Sequence, residues 1–239
     1  MATETARSVL RVEGSDDLHA LVHLLRHHGI DHDRWAWFPS IVTAGEGADA
    51  PGDGRIALLR GVRTAVRLSE GKAVGFVLDA DDSVENTWRA ISDRLERAGV
   101  VPPPAIPVEG FVGESAEYNT RVGVWLMPDN QQEGVRGEGT LERFLEALVR
   151  GEDPLLPYAR QATTQAKAVH GAGYPDGDVR KAMLHAWLAW QEEPGLPYGT
   201  AIRARYFRHD NPAAEQFVAW FRRVFEGGFA LAAEDARHA

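Results

Sequence analysis

Two acidic runs stand where chemistry is easiest to place. Glu13 opens Glu13-Gly14-Ser15-Asp16-Asp17, and Asp79 and Asp81 punctuate Leu78-Asp79-Ala80-Asp81-Asp82. Each run follows an apolar, strand-like stretch and precedes a helix-like pattern, so in a parallel sheet both would lie on the carboxyl edge and meet in one crevice. Clustered carboxylates repel one another, and a bound divalent cation or a raised pKa relieves the repulsion. Oxygen donors select Mg²⁺ or Mn²⁺. Asp17 follows Glu13 at i+4, one helical turn on, and is a further candidate ligand. Alternation along an extended Asp79-Ala80-Asp81 would put both aspartates on one side. Asp129, after a later apolar run, is expected to project toward the same crevice.

A purely structural reading stands beside the chemical one. Ser15, Asp16 and Asp17 can cap a helix and complement its dipole, as can Asp81, Asp82 and Ser83 for the next one. Asp129 can be a turn residue and Glu142 a first-turn dipole residue. Two such runs in register on one sheet edge favour the metal site over coincident capping.

The elements that must position these residues are legible in outline. Ser8 to Glu13 reads as a first strand, and Leu18, Leu21, Val22 and Leu25 form the stripe of a helix ending at Gly29. Residues 34–42 suggest a second strand, followed by a Gly/Asp/Pro-rich loop over 44–54 and a helix over 56–68. Residues 73–78 form a continuous apolar run, as in a strand buried on both faces. Val84, Trp88, Ile91 and Leu95 mark another helix, and residues 122–127 another buried strand. Thr140 is placed to cap a helix with Leu141, Phe144, Leu145 and Leu148 on its inner face. Beyond residue 153 the strand pattern stops. Helices are expected around 181–190 and after Asn211-Pro212, with residues 230–239 a frayed tail. The expected fold class is α/β: a largely parallel sheet flanked by helices over residues 1–152, with a helical extension over 153–239 packed on it.

Bulk properties narrow the classes. The 239 residues include no cysteine, which removes disulfides, thiolate metal sites and cysteine nucleophiles. A net charge of -9 disfavours indiscriminate binding to a phosphate backbone without excluding a local basic groove. Arg60, Arg63 and Arg67 would share one helix face near the acidic crevice, or form an ordinary solvated face. No apolar run approaches a membrane span and residues 1–8 lack signal-peptide character, so a cytoplasmic location is expected.

The order and context of these runs resemble the Toprim signature: Val12-Glu13-Gly14-Ser15-Asp16-Asp17 after a first strand, then Val77-Leu78-Asp79-Ala80-Asp81-Asp82 after a later one. That signature is shared by bacterial primases, type IA and type II topoisomerases, small RNA-maturation nucleases and OLD-family nucleases. Over most of the chain, Gly123 to Asn130, Leu141-Glu142, and Lys181-Ala182 ahead of His185 to Ala189 resemble a bacterial family of small stand-alone Toprim-related, OLD-nuclease-like proteins. The resemblance implies a Toprim-like Rossmannoid core. It gives Glu13 to metal binding or acid/base work, Asp79 and Asp81 to metal binding, Asp17 to the second acidic position of the OLD-like branch, and Asp129 and Glu142 to the narrower family. It points to Lys181 as a cation able to stabilise charge on a phosphate or activate water, with Lys167 as a rival. It implies Mg²⁺- or Mn²⁺-dependent cleavage of nucleic acid, DNA or RNA, with an ATPase partner in antiviral defence. A homo-oligomer is left open and no membrane is involved. No separate domain presents a nucleophilic tyrosine, which favours hydrolysis over strand passage and religation.

Two alternatives compete. Asp79-Ala80-Asp81-Asp82-Ser83 loosely resembles the motif of haloacid-dehalogenase-like phosphatases, where the first aspartate is a covalent nucleophile. A non-catalytic, metal-binding regulatory subunit is the other. His19, His23 and His27 recur at helical spacing and have zinc-binding geometry, although an exposed polar face accounts for them more simply. Trp187, Trp190, Trp220 and Phe221 are expected in the helical core rather than as base-stacking platforms.

Overall fold

The computed structural model describes residues 8–44, 54–131 and 139–227. The expected loop over 44–54 and the tail over 230–239 fall wholly or mostly outside the described residues. Five strands form one sheet in the order β2-β1-β3-β5-β4: β1 Val9–Val12, β2 Ser40–Thr43, β3 Ala73–Asp79, β4 Phe111–Ser115 and β5 Thr120–Met127. The first four neighbours in that order run parallel, and β4 pairs antiparallel with β5 at one edge. The fold is α/β, with helices on both faces and a helical C-terminal part.

The sheet is two-sided because its central strands carry two apolar sets. On β3, Val74, Phe76 and Leu78 face α2 (Gly54–Leu68) and α3 (Val84–Glu96), while Ala73 and Val77 face the opposite core. On β5, Val122, Val124 and Leu126 face α2 and α3, and Trp125 and Met127 face away from them. A strand apolar at every position must be covered twice, which explains the continuous runs in the sequence.

The second face is covered by α1 (Ser15–His27), α4 (Leu141–Leu148) and α8 (Pro212–Phe225), with α5 (Leu155–His170), α6 (Val179–Leu188) and α7 (Tyr198–Arg203) contributing to the same core. Gly75 on β3 and Gly123 on β5 are register partners. A Cβ on Gly123 would stand 2.3 Å from Val224 and 3.1 Å from Trp220, and one on Gly75 would stand 2.9 Å from Phe225. The two glycines make a flat notch in the sheet that α8 fills. Asn211 caps α8 through the Ala213 N–H, and Trp220 Nε1 donates to the Phe111 carbonyl at 3.0 Å. Burial of Phe217, Trp220, Phe221 and Phe225 on this helix contributes about 1.5–3 kcal/mol per side chain. Residues after 153 therefore share the cover of one sheet face with α1 and α4.

Two local expectations change. The second strand begins at Ser40 rather than Arg34, since residues 32–37 form turns around Asp31, whose carboxylate accepts the N–H groups of Asp33 and Arg34. Strand β4 has no sequence alternation to betray it: its sequence is Phe-Val-Gly-Glu-Ser.

Candidate functional site

Strand β1 sits between β2 and β3, and the chain reaches those neighbours through helices on opposite faces. The carboxyl ends of β1 and β3 thus lie side by side where the winding reverses, the place such sheets open a crevice. Glu13 follows β1 and Asp79 ends β3. The Asp79 N–H donates to Glu13 Oε1 at 3.0 Å. The Asp79 Oδ1 accepts the N–H of Leu141, the first residue of α4, at 3.0 Å. Asp17 Oδ2 accepts the N–H of Gly14, the α1 N-cap, at 2.9 Å. Glu142 arrives on the first turn of α4. These carboxylates and Lys181 share the lining of a pocket of about 300 Å³, which adjoins a second depression of about 500 Å³ through Asp79, Glu142 and Lys181.

The electrostatics follow from this crowding. Burial raises the Asp79 pKa well above the usual carboxylate range, reinforced by the charges of Asp17, Glu13 and Glu142 and opposed by the Leu141 N–H. Burial likewise pushes Asp17 up to about 6, against the Gly14 hydrogen bond, with Glu142 and Asp16 adding to the rise. The cationic counterweight is on α6. Lys181 Nζ lies 3.6 Å from Asp16 and 4.0 Å from Glu142. Arg180 lines the larger depression and pairs with Glu146, one turn beyond Glu142 on α4. Glu146 is 5% exposed and also meets Arg160 and, at 3.6 Å, Arg143. One buried carboxylate thereby gathers three guanidiniums beside the acidic pocket.

The donor chemistry suits a hard divalent cation, because four carboxylates press on one another with limited compensation. Their oxygens are not already drawn around a point: among the described residues no three carboxylate or histidine side chains stand close enough together to hold an ion. Holding one requires side-chain rotation, chiefly of Glu13 and Glu142, whose stems are the longer ones.

Glu13, Asp17, Asp79, Glu142 and Lys181 are brought together, and the remaining expectations diverge. β3 stops at Asp79, and Asp81 has a φ of 51°, so the extended alternation with Asp79 fails. Asp81 borders the larger depression but its carboxylate pairs with Arg55, and its backbone bridges Gly139. Asp129 lines neither acidic pocket; it accepts the Gln131 N–H and borders a depression with Arg143 and Arg150. Lys167 is bound to the Tyr174 carbonyl and Asp176 and lines neither acidic pocket. Arg60, Arg63 and Arg67 are exposed along α2 as it leaves the crevice. His19 is exposed and His23 and His27 are half-buried on the side of α1 next to α7: the His19 backbone and Cβ lie close to Gly199, Arg203 bears on His23, and His27 bonds the Ile202 carbonyl at 2.8 Å. Trp187, Trp220 and Phe221 are core, whereas Trp190 is 40% exposed and packs on Tyr158. The capping reading holds for Ser83, which accepts the Asn86 N–H, and Asp17 both caps and faces the site.

Arg55, Glu146 and Arg180 were missed. Glu142 and Glu146 recur at i, i+4, and Arg180 is beside Lys181; those spacings were the available signals.

Fold and site define an α/β domain with an acidic, cation-flanked crevice at the reversal point of its sheet. The chain belongs to the family described as a protein of unknown function (DUF3226), whose model matches residues 7–226. No curated protein and no solved structure matches it. Among the described residues, no helix is long and apolar enough to cross a membrane.

Proposed function

We propose that this protein is a metal-dependent phosphodiesterase of Toprim type that cleaves nucleic acid. The observation that carries this reading is Asp79: a carboxyl at the end of β3, held by the Leu141 N–H and pressed by Glu13, Asp17 and Glu142. Raised carboxyl pKa values in a crevice, with cations alongside, mark a site that gains stability when it takes a divalent cation. Glu13, Asp17, Asp79 and Glu142 are the residues that would hold Mg²⁺ or Mn²⁺. Such an ion lowers the pKa of water and neutralises phosphate charge. Lys181 has a flexible stem beside those carboxylates and serves to balance charge on a phosphate oxygen. An ATPase partner in antiviral defence is part of the proposal and rests on the sequence resemblance alone. The buried, backbone-bonded Asp79 is poorly suited to act as a phosphatase nucleophile.

The test is incubation of purified protein with single- and double-stranded DNA, RNA and tRNA in Mg²⁺ or Mn²⁺, alongside Asp79→Asn and EDTA controls. Cleavage lost in both controls is expected. The unconverged carboxylates favour one second reading, a non-catalytic metal-binding subunit, and cation binding with no cleavage of any substrate would select it.

A further inference from the structure

Past Arg180 the surface beside the crevice continues in two further depressions. Arg180 lines the depression next to the carboxylates, and its partner Glu146 lines the next one, of about 480 Å³, between α4 and α5. That depression shares Arg150, Gly151 and Asp153 with an outer one of about 950 Å³, which Arg205 borders. Guanidiniums stand along this whole line. Arg143, Arg160 and Arg180 share the one buried carboxylate of Glu146, so positive charge is in excess there. Arg150 and Arg205 are exposed and, among the described residues, pair with no carboxylate. The aspartates beside them are turned to protein donors: Asp153 accepts the Leu155 N–H at 2.8 Å and Trp187 Nε1 at 3.2 Å, Asp129 accepts the Gln131 N–H, and Asp210 pairs with Arg208. Glu152 is the exposed opposing charge. The same helices expose an aromatic pair: Tyr158 is 57% exposed and Trp190 40%, with ring centroids 5.1 Å apart. Tyr158 stands one turn after Leu155, which lines the outer depression, and Trp190 follows Trp187, which packs on Phe207 of the same lining.

We propose that these depressions are the track of a single-stranded nucleic acid, with phosphates on Arg143, Arg160, Arg150 and Arg205, a base on the Tyr158–Trp190 pair, and the acidic crevice at one end. The inference deepens the nuclease reading above and rests on it for the chemistry at that end. Cations that follow a backbone and rings that take a base face are the two parts of a single-strand site. The track accounts for how a chain of net charge -9 accepts a polyanion: the arginines are gathered locally while the acidic charge lies elsewhere or is turned inward. Glu146 holds the inner guanidiniums in place beforehand, which reduces the side-chain freedom lost on binding. A duplex fits less well, because its stacked bases offer no face to Tyr158 and Trp190.

The experiment is fluorescence anisotropy of labelled oligo(dT), oligo(U) and a DNA duplex with the full chain in EDTA, over a series of salt concentrations, so that binding is read apart from metal and cleavage. Single strands should bind more tightly than the duplex. The paired substitution Arg150→Ala with Arg205→Ala should flatten the slope of log affinity against log salt by about 1.4, two contacts at about 0.7 each. Tyr158→Ala should weaken single-strand binding at least about fivefold. Arg60→Ala with Arg67→Ala on α2 removes the same charge elsewhere and should change neither affinity nor slope. All four side chains are exposed, and a thermal melt of each variant checks the fold. Absence of single-strand binding, preference for the duplex, an unchanged slope in the Arg150/Arg205 variant, or an equal loss in the α2 variant overturns the track. Cleavage still seen in Mg²⁺ would then leave the nuclease reading standing. Arginine-dependent binding without cleavage under any condition overturns the nuclease reading and leaves the track.

Discussion

The Asp79 N–H donates to Glu13 Oε1 at 3.0 Å, so the ends of β3 and β1 are tied by a side chain that is itself a candidate ligand. Structural and chemical duties of Glu13 can therefore be separated. Glu13→Gln keeps an acceptor for that N–H and should melt within a few degrees of wild type, yet lose metal binding and cleavage. Glu13→Ala strands the donor and should cost a further ~1–2 kcal/mol in urea unfolding. Equal stability of the two variants would contradict this division.

Asp79→Asn retains an oxygen for the Leu141 N–H and removes a charge that its surroundings resist. In EDTA at mildly alkaline pH the variant should be more stable by about 1 kcal/mol, or roughly 2–4 °C in Tm for a chain of this size. The same substitution should abolish Mn²⁺ binding. Gain of stability with loss of binding identifies a functional rather than a structural carboxyl.

Asp17 is pushed up to about 6 from 3.8. Between those values the folded protein holds more protons than the unfolded chain, so this group's contribution to stability is complete below about pH 4 and is lost as pH rises through about 6. In EDTA, the difference in Tm between wild type and Asp17→Asn should therefore widen from pH 5 to pH 7. Cation binding should run the opposite way, with affinity falling as pH drops through about 6, because protons and the ion compete for the same oxygens.

Glu146 is 5% exposed and holds Arg180, Arg160 and Arg143. Glu146→Ala would leave Arg180, itself 15% exposed, without that counter-charge, and should cost about 3–5 kcal/mol by denaturant titration. Replacing Glu142, one turn away and facing the pocket, should cost far less stability and more activity.

How much of this was legible depended on whether the physics was local. Continuous apolar runs at 73–78 and 122–127 report strands covered on both faces, and the Thr140 and Asn211 caps report helix starts; each is a matter of neighbouring residues. Glu13 and Asp79 were legible because a parallel sheet brings its strand ends together. Asp81 reaches the larger depression with Asp79, but not by the expected alternation, which lapses where β3 ends: its φ is left-handed and its carboxylate pairs with Arg55. Asp129 was misjudged for a related reason: after β5 the chain turns, and the side chain closes on the Gln131 N–H instead of entering the crevice. Arg180 lines the larger depression, and Glu146 pairs with it, only because α4 and α6 pack together there, which no window of sequence contains. Strand β4 escaped notice because an edge strand takes its pairing from β5 rather than from its own pattern.

The glycine notch on β3 and β5 has a consequence for how the molecule comes into being. Emerging from the ribosome, the chain delivers Glu13, Asp17, Asp79 and Glu142 before residue 143, and Lys181 afterwards. The helix that seats in the notch, residues 212–225, comes later still. Until it docks, one face of the central strands lacks the aromatic side chains that shield it. The sheet that carries the crevice is therefore fully covered on that face only once residues 212–225 have emerged, and a chain interrupted before Pro212 would carry the carboxylates of the crevice without that cover. Such an order of assembly makes the setting of the acidic crevice depend on the docking of α8.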